Sequence, residues 1–216
     1  MLATMLLIAA TALQTSEITE PNTKVAFPAE LQTATGAQVL TGTGVRTRTM
    51  LKVKVYAFGL YVDAAGARTG LAPWRGKNAA DLARDQSLYT ELLKGSFPMT
   101  LRLVMTRDVG ADQMSEAFND ALAPRVAQAE QRGMTGGAEA LTQFRAFFTD
   151  RLTEGTELVF SRSSGKLTVT IGGKQAGEID NAALAWALFD VYLGEKPISS
   201  DGKKGVVARV PELLGA

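Results

Sequence analysis

The sequence predicts an α+β domain: a mainly antiparallel sheet with helices against it. Three observations lead there. Strand-like patterns come first, then helical ones, then a hairpin, then helices again, which is not the regular alternation of a parallel α/β fold. The stretch Gly42 to Val62 is too long for one ordinary strand, and its second half alternates with a period of two. Hydrophobic residues are 46% of the 216 and charged residues 21%, enough apolar matter for a sizeable core and too little charge for a disordered chain. No repeat, heptad run or linker divides the chain, so residues 25–216 are read as a single domain.

Residues 1–12 are mostly apolar, too short to span a bilayer as a helix, and end in the small-x-small run Ala10-Thr11-Ala12. They read as the hydrophobic part and cleavage site of an export signal, which implies a periplasmic or secreted protein. No Lys or Arg precedes Lys24, so the usual positive start is missing, and an apolar helix on a cytoplasmic protein is the other reading. Residues 13–24 form a polar leader.

Phe27-Pro28 marks a strand edge or turn, and Val39 to Arg48 a strand. A second strand follows, the two meeting near Thr49 and Met50. In it Lys52 and Lys54 share parity with Tyr56, Phe58 and Leu60, so one face turns from basic to aromatic. Such a face fits a pocket with an acidic head at one end, or a strand that leaves solvent and enters the core. Gly42-x-Gly44 lacks the third glycine and the helix of a phosphate loop; glycines permitting close approach suit it better.

Ala64 to Asn78 reads as a glycine-rich connection, with Asn78 capping a helix that Ser87 to Leu93 either continues or follows. Gly95 to Pro98 breaks it, and Met99 to Thr106 alternates as a strand. Gly110 to Arg132 is an amphipathic helix kinked or split at Pro124. The next helix carries Leu141, Phe144, Phe147, Phe148 and Leu152 on one side, a core stripe. Glu157 to Ser161 and Lys166 to Ile171 form a hairpin around Arg162 to Gly165, and Gly172-Gly173 turns into another short run. Asn181 caps a helix ended by Gly194. Ser199 or Ser200 caps a last one, bent by Pro211.

Absences narrow the chemistry. With no Cys there is no disulfide, thiolate catalysis, Cys-bound zinc or lipidated cysteine; with no His the usual general base and commonest metal ligand are gone. No metal and no cofactor is expected. A net charge of +1 gives no reason to expect nucleic acid or a membrane surface as partner. The distinctive group is Arg46, a planar cation among glycines, with Tyr56 or Tyr61 nearby to help clamp an acidic ligand.

Gly42-Thr-Gly-Val-Arg46 followed by Lys54-Val-Tyr-Ala-Phe-Gly-Leu-Tyr61 resembles the opening motif of the chalcone isomerase superfamily. Trp74-Arg-Gly-Lys77, Gln113-Met-Ser115, Glu154 to Phe160, Ser164-Gly165, Leu193 to Ser199 and Ala208 to Leu214 continue the likeness in order. The resemblance covers Val39 to Leu214 and implies an open β-sandwich, a large antiparallel sheet covered by a layer of helices with a ligand cleft between. It also implies that Arg46 sits at the catalytic arginine of the plant enzymes, which cyclise a chalcone to a flavanone. Tyr56 falls where those enzymes carry a strand threonine, Met114 where they have a water-ordering tyrosine, Ala121 at a cleft asparagine and Val191 at a late-helix threonine. Met114 and Val191 offer no useful donor, and one lost donor costs on the order of a hundred- to a thousand-fold in rate.

Being exported and Cys-free, the chain is most similar to the bacterial chalcone isomerase-like branch. The resemblance thus implies a binding protein, at most weakly catalytic, for an amphipathic acid or phenol such as a fatty acid. The implied ligand set is Arg46, Tyr56, Met114, Phe118, Ala121, Val191 and Tyr192, with Phe189 as further apolar lining. An isomerase closing a chalcone-like ring is the alternative. A protein with a filled cleft, acting through partners, is the third reading; it requires Arg46 to be paired to an internal carboxylate.

Overall fold

The computed structural model describes residues 16–48 and 51–215. The apolar run 1–12, the start of the leader and the meeting point at Thr49 and Met50 lie outside the described residues. A two-stranded ribbon, β1 (Glu17–Thr19) with β2 (Ala26–Pro28), precedes a seven-stranded antiparallel sheet in which each strand pairs with the next. Its strands are β3 (Glu30–Thr33), β4 (Gly36–Arg48), β5 (Val53–Asp63), β6 (Met99–Met105), β7 (Glu157–Ser163), β8 (Lys166–Ile171) and β9 (Lys174–Asp180). Helices α1 (Ala64–Gly70), α2 (Ala79–Leu82) and α3 (Gln86–Lys94) join β5 to β6; α4 (Ala111–Gln131) and α5 (Gly137–Arg145) join β6 to β7. The chain ends in α6 (Ala182–Leu193), α7 (Ser200–Gly205) and α8 (Val210–Leu214). The predicted antiparallel sheet with its layer of helices is therefore present.

The two faces of β5 are unequal. Phe58, Leu60 and Val62 enter the large core beneath the helices, while Ala57 and Tyr61 meet Phe27, Leu40 and Val104 in a small cluster roofed by the β1–β2 ribbon. Tyr61 donates its hydroxyl to the Pro28 carbonyl at 3.0 Å on that second face, so it is not part of an Arg46 clamp. The basic-to-aromatic parity is also broken. Arg46 pairs with Tyr56 but Thr47 with Lys54, which leaves Val55 as a bulged extra residue. Lys54 therefore leaves Tyr56's face and reaches the Asn22 carbonyl in the ribbon turn.

Several expectations change for physical reasons. Ala64 to Asn78 is a loop only in part, since Ala64–Gly70 is helix and Ala72–Trp74 a single 3-10 turn: Asp63 caps the Gly66 N–H at 2.6 Å, and Phe97 packs so closely on Gly66 that a Cβ there would lie 2.6 Å from Phe97 Cβ. Asn78 does cap α2, but Asp85 starts α3 as a separate helix. α4 runs unbroken through Pro124, which is exposed, as is Asp120 one turn earlier, so the freed Asp120 carbonyl faces water. Phe147, Phe148 and Leu152 lie beyond α5, with Leu152 bridged to Val109. Pro211 opens α8 instead of bending one long helix. Gly194 ends α6 with extended backbone (φ −67°, ψ −179°); a Cβ there would lie 2.4 Å from the Asp190 carboxylate.

The Trp74-Arg-Gly-Lys77 segment turns out to be scaffolding. Trp74 Nε1 and Lys77 Nζ both donate to Asp85, at 2.9 and 2.7 Å, which ties the segment to the start of α3. Lys77 and Ser87 hold the Asp85 carboxyl well below its ordinary 3.8. Ionised Asp85 thus contributes stability that is present above 3.8 and is lost as the pH falls toward the lower folded value. Asp85→Asn is expected to lower the urea midpoint at pH 7 modestly, since solvent screens the pair to about 1 kcal/mol or less. The gap to wild type should close as the solution is acidified. A gap that widens in acid refutes this account.

Candidate functional site

Arg46 lies near the end of β4, half-buried, facing the helix layer. Its Nη1 donates to the Ile198 carbonyl at 2.9 Å, in the segment between α6 and α7. The guanidinium's remaining N–H groups have no acceptor, and no carboxylate lies within 4.0 Å, among the described residues. The filled-cleft reading needed such a carboxylate and is overturned. Instead Arg46 borders a cavity of about 500 Å³, within the range of small-molecule sites.

The cavity brings together most of the expected set. Met114, Phe118 and Ala121 line it from one stripe of α4, Val191 from α6, and Tyr56 from β5. Tyr192 stands behind the wall, its hydroxyl 3.1 Å from that of Tyr56. Phe189 does not reach the cleft; its ring lies under Arg162, 4.3 Å from the guanidinium carbon. Sequence reasoning missed Val55 and Ile198, which add apolar surface, and the rim residues Arg48, Arg107 and Asp108. The bulge that turns Val55 inward has no sequence signal of its own. Ala117 also lines the cavity and could have been found by its place three residues after Met114 on α4.

The two phenols form a directed pair. Burial pushes both upward, against the Tyr192 bond and the Arg46 charge for Tyr56, so both are neutral at physiological pH. Tyr192 is buried and has only Tyr56 as a hydroxyl partner among the described residues. A Tyr192 proton donated to that partner, Tyr56 Oη, leaves the Tyr56 proton free for a ligand. The cleft thus offers a cation and a neutral donor beside an apolar wall of Val55, Met114, Phe118, Ala121, Val191 and Ile198, and its other lining residues, Arg48, Arg107, Asp108, Gln113, Asp120 and Arg125 among them, are largely polar. Such an arrangement can hold an oxyanion and bury a hydrophobic body. Its carboxylates are Asp108, which accepts from Arg151 and from the Glu154 N–H, and the exposed Asp120; Met114 and Val191 add no donor. Among the described residues no group of three or more His, Cys, Asp or Glu clusters as for a metal, and no helix is long and apolar enough to cross a membrane.

Fold and cleft together define an antiparallel sheet with a helix-covered cleft bordered by an arginine. The profile of the chalcone isomerase-like family matches residues 37–207, and the chain belongs to that family. It is 31% identical to a chalcone–flavanone isomerase of Oryza sativa over 83% of this chain and 82% of that one. It is 28% identical to fatty-acid-binding protein 2 of Arabidopsis thaliana over 93% of this chain, which spans only 52% of that protein's length. The crystal structure of another Arabidopsis thaliana fatty-acid binding protein superposes with a TM-score of 0.77 over 93% of this chain and all of that one, at 22% identity.

Proposed function

We propose that this chain is a binding protein for a small amphipathic acid, a fatty acid or phenolic compound, whose anionic head is held by Arg46 and Tyr56. The observation that carries this is an arginine with no carboxylate partner among the described residues, bordering a cavity that has an apolar wall. Similarity to fatty-acid-binding proteins supports it. The test is native mass spectrometry of the purified full chain before and after organic extraction, with calorimetric titration of dodecanoate into the extracted protein. A co-purifying acid and saturable dodecanoate binding are expected; neither one appearing sinks the reading.

A second reading, ring closure of a chalcone-like substrate, is favoured by Arg46 and Tyr56 together and by the likeness to plant isomerases. Arg46 would steer a phenolate and Tyr56 would polarise the ketone, with little covalent work for the protein. The missing donors at Met114 and Val191 rank it second. Stopped-flow absorbance with naringenin chalcone decides it: a rate equal to buffer excludes it.

We also propose that the chain is exported and belongs to the bacterial branch, a reading supported by the apolar run ending at Ala10-Thr11-Ala12. A mature intact mass lacking residues 1–12 is the expected outcome.

A further inference from the structure

A second and larger cavity, about 1090 Å³, lies on the other side of α4, between α3, α6 and the β7–β8 turn. It shares only Arg125 with the Arg46 cleft. That side chain is a partition, already tied to Asp190 at 3.0 Å and to the carbonyls of Ala121 and Lys196.

On the floor of this second cavity is Arg162, 4% exposed. Among the described residues it has no carboxylate partner. Its Nη groups donate to the Leu92 and Leu93 carbonyls at the end of α3, but its Nε is buried without any partner among the described residues. Gly95 leaves the guanidinium its space: a Cβ there would lie 2.9 Å from Arg162 Cζ. Burial brings Arg162 down to about 10, so it stays charged at neutral pH and would gain from an anion. A buried charge of this kind is costly when unpaired.

The charge around it selects the anion. Arg125 is spent on Asp190 and Lys94 on Glu91. Arg132, Arg162 and Lys196 remain against Glu195, a surplus of two positive charges. Trp186 supplies a flat apolar wall, with the Arg132 guanidinium carbon 4.7 Å from its ring centroid. A carboxylate would neutralise half of the surplus; a phosphate monoester dianion matches it, and several arginine forks suit its oxygens. The volume is too large for a bare ion and admits an organic group beside the indole.

We infer that this cavity is a second ligand site, for the phosphate of an organic monoester whose apolar or ring part rests against Trp186. It stands independently of what occupies the Arg46 cleft.

The test is calorimetric titration of the full chain with phenyl phosphate, inorganic phosphate and benzoate. Phenyl phosphate should bind saturably, inorganic phosphate more weakly, and benzoate at least about tenfold more weakly. Arg132→Glu and Lys196→Glu, both at exposed positions that leave the core alone, should each weaken phenyl phosphate at least about tenfold and leave dodecanoate binding unchanged. Arg46→Ala should leave phenyl phosphate untouched. No phenyl phosphate binding, equal binding of benzoate, or binding lost in Arg46→Ala but kept in Arg132→Glu would each overturn the inference.

Discussion

Arg46→Ala is expected to weaken dodecanoate binding by about 30- to 150-fold, about 2–3 kcal/mol, with little change in thermal stability. The size follows from the environment. The guanidinium is half-buried beside the apolar wall of the cavity, where a carboxylate gives up its water and receives a charge-assisted fork in return. Truncation leaves that carboxylate desolvated and unpaired. Stability should barely move because the described structure makes only one demand on the side chain, the bond to the Ile198 carbonyl. Arg46→Lys keeps the charge but loses the planar fork, so it should recover only part of the affinity. Tyr56→Phe should cost less, about 1 kcal/mol of affinity, since one neutral donor is lost. It should also cost some stability, because the buried Tyr192 hydroxyl loses its acceptor. Calorimetry across these variants checks the order. Arg46→Ala binding as tightly as wild type would remove Arg46 from the site.

How much of this was legible in the sequence depended on whether a signal was local. Met114, Phe118 and Ala121 lie four and three residues apart, so a helix places them on one stripe, and that stripe faces the cleft. Val191 and Phe189 are two apart on α6, about 200° around the axis, so both could not face the same cavity. Val191 does; Phe189 turns to Arg162. That conflict was readable in advance. The bulge at Val55 was not: a one-residue insertion flips parity without changing composition, so Lys54 and Tyr56 read as one face when they are two. α1 was hidden because Gly66 and Gly70 lower helix propensity; the packing of Phe97 against them outweighs it. Arg162 looked like a turn residue. Its burial depends on carbonyls some seventy positions earlier in the chain, which no window can see.

Gly205→Ala is expected to be strongly destabilising for a single methyl, costing about 3 kcal/mol or more. The reason is a backbone-to-backbone seam. Gly42 and Gly44 of β4 meet Gly205 and Gly202 of α7, so the glycine pair expected to permit a close approach forms a docking groove for a helix. A Cβ on Gly205 would lie 2.2 Å from the Thr43 carbonyl oxygen. That oxygen belongs to a paired strand, with Thr43 opposite Gly59, so it cannot swing aside as a side-chain tip could. Neighbouring bonds hold α7 in place as well: Thr41 Oγ1 donates to the Val206 carbonyl at 2.7 Å, and the Arg209 N–H to the Thr41 carbonyl at 2.8 Å. Relief of the clash must lift α7, and with it the segment after α6 whose Ile198 carbonyl orients Arg46. Gly205→Ala should therefore lose dodecanoate affinity in whatever fraction remains folded, although it touches no ligand. Lys204→Ala, exposed on the same helix, should stay within about 0.5 kcal/mol of wild type and bind normally. Urea unfolding and calorimetry on the two variants make the comparison. If Gly205→Ala is as stable as Lys204→Ala, the seam does not hold the helix that positions the arginine.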